Sequence, residues 1–489
     1  MKPPTKKQNS GFSDLPDGAV HNVLDFLGMR DIARLCVVSK RCRELCISNP
    51  NLCLSNIEDK SGGPHFYSFV DRFMALRCLH GVMTDRFAIR WSFEGSVVDQ
   101  DEEYYRVETW LQHAVNQGSV AGVRLKFFLL GRQHFSLPLC VLRCNSVTFL
   151  DIDAENALLK LPSAPPYFAS ELQSLQLRHV QIENNCNCNL GELLSSFKSL
   201  KVLKLDKISG IKAMTITSSS IEILSIVSVD SHLCDVEIQQ LHKLYELNLV
   251  WFPKSSSSTS LKISAPNLQT FQWSGITVDD YCMRDSPDLL QALIGLHLPA
   301  QSKGNPDSTK NNLVKILHSV QKARHLKLYG CFVEALLKHG CLPFSFDNVE
   351  HLTVIRSSLG DQVLPLSSLL RGTTNLKLLS LHVCASVTNS MPSSELPFKM
   401  EYWQSQNFMF THQLKKVVVH LFDKENEIEL IKYLLTNAQE LELMTILYSS
   451  PLSSSDVIIE LKKFKKPSTK LILYSSLDNH RHHQSLRLM

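Results

Sequence analysis

The sequence lacks most of the devices from which small chemical sites are built. Its 14 cysteines are scattered, with no Cys-x-x-Cys pair, so the two close ligand pairs that usually bring four donors to a tetrahedral zinc are missing. The nearest approach, Cys186-Asn187-Cys188, has no second pair or His beside it, and no metal is expected. No Asn-x-Ser/Thr sequon occurs, which removes N-glycosylation. No sign of charge dominates: 51 Lys+Arg face 47 Asp+Glu, a net charge of +4 over 489 residues, too little to draw the chain to nucleic acid by bulk attraction. No apolar run approaches the ~20 residues that span a bilayer, and Met1–Lys7 has no apolar signal core. These absences predict a reduced intracellular protein of the nucleus or cytoplasm, with no membrane partner and with cysteines serving as small buried hydrophobes.

Catalytic signatures are absent too. There is no Gly-x-Ser-x-Gly elbow, His-Glu-x-x-His helix, Walker loop or dinucleotide fingerprint. No cysteine sits in a recognisable activating setting. No catalytic residue and no cofactor is expected, and the chain reads as an interaction protein rather than an enzyme.

What is present is a repeat. Hydrophobic residues make up 44% and charged residues 20% of the chain, a balance suited to a large folded core. From residue 120 the pattern apolar-x-x-apolar-x-apolar begins at Val120, Val147, Leu172, Leu200, Ile221, Leu244, Leu268, Leu293, Ala323, Val349, Leu376, Leu414 and Leu441. All steps but the one from Leu376 to Leu414 fall between 21 and 30 residues, the length of one leucine-rich repeat. The closing apolar-x-apolar is a strand with one apolar face. Since one such unit cannot bury that face alone, stacked units must share a core. The predicted fold is α/β: an irregular leucine-rich-repeat solenoid with a parallel sheet on the concave face and helices or loops outside. Leu190–Phe197 is expected to be one returning helix, Asp99–Glu103 an acidic loop and Asn305–Asn312 another loop.

In this frame the residues two, four and six places after each start face away from the core. Gln176, Arg178, Lys204, Glu246, Asn248, Lys327, Tyr329 and His351 are the target-binding candidates so obtained. The surface they make is mixed, polar and aromatic, and suits a protein, or a small co-ligand, better than a phosphate backbone.

The N-terminal block differs. Residues 13–54 read as two or three short helices with little apolar surface of their own, marginal alone and stabilised by docking to a partner. Leu15-Pro16-Asp17, Val23-Leu24-x-Phe26-Leu27 and Val38-Ser39-Lys40-Arg41-Cys42-Arg43 stand in the order and spacing of an F-box, which this block resembles. The resemblance implies that Leu15, Pro16, Val23, Leu24, Leu27, Leu35, Val38, Ser39 and Lys40 face a Skp-type adaptor, and through it a cullin. Met29 replaces a frequent Pro, and Cys42 and Cys46 replace the Trp usual in plant members. Loss of two aromatic anchors is expected to weaken docking.

At the other end, Leu414–Phe422, Glu425–Ala438 and Leu441–Ile446 read as strand, helix and strand. This order resembles the FBD domain of the plant-type F-box/FBD/leucine-rich-repeat family. The expected division is a flexible basic tail at 1–12, an F-box at 13–54 and a linker with a helical cap at 55–119. The repeats follow at 120–400, then an FBD-like cap at 401–475 and a flexible tail at 476–489. The implied function is the substrate-receptor subunit of a Skp–cullin–F-box ubiquitin ligase, its repeats binding a target protein for ubiquitination. The alternative is a non-catalytic recognition or scaffold protein that acts outside the ligase because its F-box is weakened.

Overall fold

The computed structural model describes residues 15–57, 64–93, 97–116, 118–161, 171–182, 190–254, 258–284, 286–298, 306–329, 332, 345–356, 363–383, 398–421, 425–448, 460–461, 463–464 and 466–475. The expected tails at 1–12 and 476–489 and the Cys186–Cys188 pair lie outside the described residues. The chain divides into two compact units, Met1–Leu233 and Cys234–Met489.

The first unit opens with three helices, α1 (Asp17–Leu24), α2 (Met29–Val38) and α3 (Lys40–Ser48). Ser39 is extended and its hydroxyl accepts the Cys42 backbone N–H at 3.0 Å, starting α3 with a side-chain cap. There follow β1 (Asn51–Ser55), α4 (Pro64–Leu79), β2 (Arg86–Phe93), α5 (Val97–Val115), β3 (Gly122–Ser136), α6 (Leu139–Leu142), β4 (Phe149–Lys160), β5 (Ser174–Ile182), α7 (Leu190–Ser196), β6 (Val202–Asp206), β7 (Ala213–Thr217) and β8 (Ile223–Ser231). Strands β1 to β6 and β8 form one parallel sheet in that order.

The second unit holds β9 (Asp235–Gln239), β10 (Glu246–Pro253), β11 (Ser260–Ile263), β12 (Thr270–Ile276), β13 (Asp280–Met283), β14 (Gln291–His297), α8 (Pro306–Ser319), β15 (His325–Tyr329), β16 (His351–Arg356), α9 (Val363–Gly372), β17 (Leu378–Val383), α10 (Met400–Ser405), β18 (Lys416–Leu421), α11 (Glu425–Asn437), β19 (Leu443–Tyr448) and β20 (Lys470–Ser475). Strands β10, β12 and β14 to β20 pair in parallel in that order. A smaller parallel sheet runs β9-β11-β13. The strand–helix–strand expected at the C-terminal end is present as β18, α11 and β19, the two strands paired in parallel. No helix among the described residues is long and apolar enough to cross a membrane.

The repeat register matches the apolar pattern at all starts but one. Leu175, Leu203 and Leu224 lie side by side on β5, β6 and β8 and are buried, as are Leu177, Leu205 and Ile226. The exception is Leu293. Strand β14 pairs Thr270 with Gln291, so the position equivalent to Leu268 is the buried Leu289, and Leu298 is exposed. The segment Leu289–Leu298 fits the pattern in two frames four residues apart. An even shift keeps Ala292, Ile294 and Leu296 on the inward face in either frame, so alternation alone does not choose.

Repeat length decides how each unit returns. Between Leu200 and Leu289 the repeats are short, and their return segments are the four- and five-residue strands β7, β9, β11 and β13 instead of helices. Longer repeats carry α8, α9 and α11. The tight stacking makes two glycines obligatory: a Cβ would stand 1.8 Å from the Trp251 carbonyl oxygen at Gly275 (φ +152°) and 2.1 Å from that of Ile182 at Gly210 (φ +87°). Two expected loops are helical. Asp99–Glu103 lies in α5, where Glu102 pairs with Arg106 one turn on at 2.9 Å. Of Asn305–Asn312, residues 306–312 lie in α8, which starts at Pro306, a residue already set for a first helical turn.

The sheet also starts earlier than residue 120, at β1 and β2. In these two strands the first apolar position of the pattern is held by Asn49 and Thr84, both buried. The buried guanidinium of Arg77 joins them. It donates to the carbonyls of Ile47 and Asn49 (2.7 Å for Asn49) and to Thr84 Oγ1 at 2.9 Å. Burial lowers its pKa to about 10, so it keeps its charge at neutral pH. Arg77 thus ties α3 and the start of β1 to α4 and β2. Arg77→Met leaves three buried acceptors without this donor, at about 1 kcal/mol or more each. The expected loss is about 3 kcal/mol of unfolding free energy, measured by urea denaturation of the full chain.

Candidate functional site

Two surfaces answer to the sequence-level candidates. On the F-box helices, Leu15, Val23 and Val38 are exposed large hydrophobics, and Pro16 and Lys40 are exposed. Leu27, Leu35 and Ser39 are half-buried. Leu24 differs from expectation: it is 1% exposed and belongs to the interior. Two residues outside the expected set are more prominent than any in it, Phe26 at 90% and Val37 at 78% exposure. Their signal was apolar character at the ends of helices whose inward stripes were already complete. Cys42 and Cys46, at the positions of the missing tryptophans, are both buried, as is Met29. Cys46 and Cys36 are hydrogen-bonded to each other, which with burial holds the Cys46 thiol far above its usual pKa. The two substitutions therefore lie in the interior of the block.

The eight target-binding candidates fall into two groups, one in each unit. All lie on the outward side of the strands, half-buried or exposed, as the alternation predicts. Gln176 and Lys204 are register partners on β5 and β6, with Arg178 two places on. Glu246 and Asn248 are on β10, Lys327 and Tyr329 on β15 and His351 on β16. Tyr329 packs down on Gly295 of β14, where an added Cβ would come within 2.7 Å of its ring. His351 and His325 are register partners with ring centroids 4.2 Å apart.

The structure adds a charge network beside Arg178 that the sequence reading did not single out. Asp151 and Asp153 occupy outward positions of β4, yet their side chains are only 4% and 8% exposed. Arg178 donates to Asp151 from Nη2 at 2.7 and 2.8 Å and from Nε at 3.1 Å. Arg124 Nε lies 3.3 Å from the same carboxylate. Asp153 pairs with His179 Nδ1 at 2.8 Å and with Lys126 Nζ at 3.6 Å. Burial opposes the Arg178 charge, but the bonds and charge of Asp151 outweigh it and hold its pKa above the usual value. Arg124 also lies over the Phe149 ring at 5.8 Å, and Lys126 over Phe128 at 5.0 Å. The readable signal was two Asp at alternate positions of one strand, with Arg and Lys at the same register in the strand before.

Arg86 and Arg124 further line a cleft of about 610 Å³ walled by Leu24, Leu27, Phe87 and Phe149.

The F-box domain model matches residues 12–54, the model described as FBD-associated F-box protein At5g56370, LRR repeats, matches 107–281, and the FBD model matches 409–446. The chain carries F-box, leucine-rich-repeat and FBD domains in that order. It is 24% identical over 462 residues to the F-box/FBD/LRR-repeat protein At4g03220 of Arabidopsis thaliana, covering 89% of this chain and 88% of that one. To the Arabidopsis F-box/LRR-repeat protein At3g62440 it is 25% identical over 76% of this chain and 78% of the relative. To the F-box/FBD/LRR-repeat protein At1g13570 of the same plant it is 24% identical, over 94% and 96%. The domain set is that of a substrate adaptor.

His351 gives the repeat face of the second unit a pH dependence. Burial, then the neighbouring His325, lowers its pKa from the ordinary 6.5, against the opposing charge of Glu350. The unfolded chain therefore takes up the proton first, and stability is lost as pH falls from 6.5 toward the lower folded value. His351→Gln is expected to reduce the drop in urea midpoint between pH 7.5 and pH 5.5.

Proposed function

We propose that this chain is the substrate-receptor subunit of a Skp–cullin–F-box ubiquitin ligase, with no catalysis of its own. Its F-box docks on a Skp-type adaptor, and through it on a cullin, while the repeats hold a target protein. Ubiquitination then follows from proximity, because the assembled complex raises the local concentration of a charged ubiquitin carrier at target lysines.

The observation that carries this reading is the apolar exposure of the F-box. Leu15, Val23, Phe26, Val37 and Val38 are all left uncovered within residues 15–38, a density of exposed apolar side chains that marks a protein-docking surface. The alternative, a recognition protein that acts outside the ligase because its F-box is weakened, differs from this reading in adaptor affinity.

Titration of the purified full chain with a Skp-type adaptor tests the proposal. Phe26→Asp and Val38→Asp are expected to weaken adaptor affinity by about tenfold or more each, with the melting temperature unchanged. Cys42→Ala is expected to leave affinity as it is. An intact chain that fails to bind the adaptor, or binds it equally well after Phe26→Asp, overturns the ligase assignment.

A further inference from the structure

We propose that the outward face of β2 to β6 is the target-binding surface and that it takes an acidic segment of a protein target. The proposal rests on the reading of the chain as a receptor that holds a protein, and names the chemistry of what it holds.

The face is assembled by register. Arg124, Asp151, Gln176 and Lys204 form one row across β3, β4, β5 and β6. Arg90, Lys126, Asp153, Arg178 and Asp206 form the next, from β2 to β6. Arg86 stands at the start of β2. Six cations, Arg86, Arg90, Arg124, Lys126, Arg178 and Lys204, therefore share this side with four carboxylates, Asp151, Asp153, Glu155 and Asp206. The balance seen by a partner is more positive than that count. Asp151 and Asp153 are nearly buried beneath the basic side chains, whereas Arg86, Arg90, Arg124 and Lys204 are exposed.

The buried carboxylates hold the cations in place without using all of their donors. Asp151 takes Nε and Nη2 of Arg178, and Nη1 has no acceptor among the described residues. Arg124 meets Asp151 through Nε alone, so both of its Nη groups point to no protein acceptor among the described residues. A guanidinium fixed in this way has already lost much of the rotamer freedom that binding would cost. Its spare, parallel N–H groups fit a carboxylate. Two buried carboxylates on the solvent side of a sheet are costly for stability alone, and positioning cations for a partner gives them a purpose. An acidic peptide is the occupant of complementary charge, and such pairing sets partner choice more than raw affinity.

The test selects ligands without presupposing one. A random dodecapeptide library is panned against the immobilised full chain, and selected peptides are measured by fluorescence anisotropy. Peptides rich in Asp and Glu are expected. Their affinity should fall about tenfold or more with Arg86→Glu and Arg90→Glu combined, and again as salt is raised. Both side chains are exposed, so the melting temperature should hold. Lys243→Glu, an exposed lysine of the second unit, should leave affinity unchanged. Selection of peptides without acidic enrichment, failure to select any, or indifference of acidic peptides to the double variant overturns the proposal. Equal binding of a single-stranded oligonucleotide of the same length also overturns it, since the face would then be a general polyanion site. Adaptor titration of the same variants runs in parallel. Loss of adaptor binding by the parent chain would sink the ligase reading, whereas loss of acidic selection sinks only this one.

Discussion

Each repeat of this chain presents two or three inward apolar side chains and no means of covering them by itself. Leu175 is closed off by Leu203, Leu203 by Leu224, and the same succession runs through Leu177, Leu205 and Ile226. In the second unit Leu326, Leu352, Leu379 and Val417 form an equivalent row. Residue-for-residue parallel pairing is therefore the condition on which everything else rests. A one-residue slip would turn a whole apolar row to water and a row of Arg, Asp and Lys to the core.

The junction between the F-box and the sheet meets the same condition by other means. Where later repeats have Val120 or Val147 at the first position of the pattern, the first two strands have Asn49 and Thr84. Buried polar groups need partners, and Arg77 supplies three donors to this one spot. The short helices of the F-box bury little apolar surface themselves. They keep their place because a guanidinium reaches from α4 to the carbonyls that end α3 and begin β1.

Much of this was legible in the residues. The period of the apolar pattern located β3 to β6, β8, β10, β12 and β15 to β19, because a row that must stay apolar leaves its mark at a fixed spacing. The pattern failed where physics other than apolar burial filled a position. Asn49 and Thr84 hid β1 and β2. Leu289 and Leu293 offered two frames with the same alternation. Asp99–Glu103 looked like a loop because its charge was visible, whereas the pairing of Glu102 with Arg106 becomes evident only at helical spacing. Leu24 was assigned to the docking side with its neighbours, but helical geometry turns Val23 and Phe26 outward and Leu24 in.

Charge was the least legible property, for a reason that follows from the architecture. The chain as a whole is nearly neutral, and the outward residues read strand by strand carry both signs. Register then sorts them. Arg124 and Arg178 are 54 positions apart in sequence, yet both reach Asp151 because β4 lies between β3 and β5. In a parallel repeat sheet the neighbours that set the electrostatics of a residue are one repeat away on either side. A window along the chain averages over inward and outward positions and never compares them. A net charge of +4 argues against bulk attraction to a polyanion but carries no information on local sign. At a few adjacent outward positions Asp151 and Asp153 lie beneath Arg124, Lys126 and Arg178, an arrangement that the total conceals.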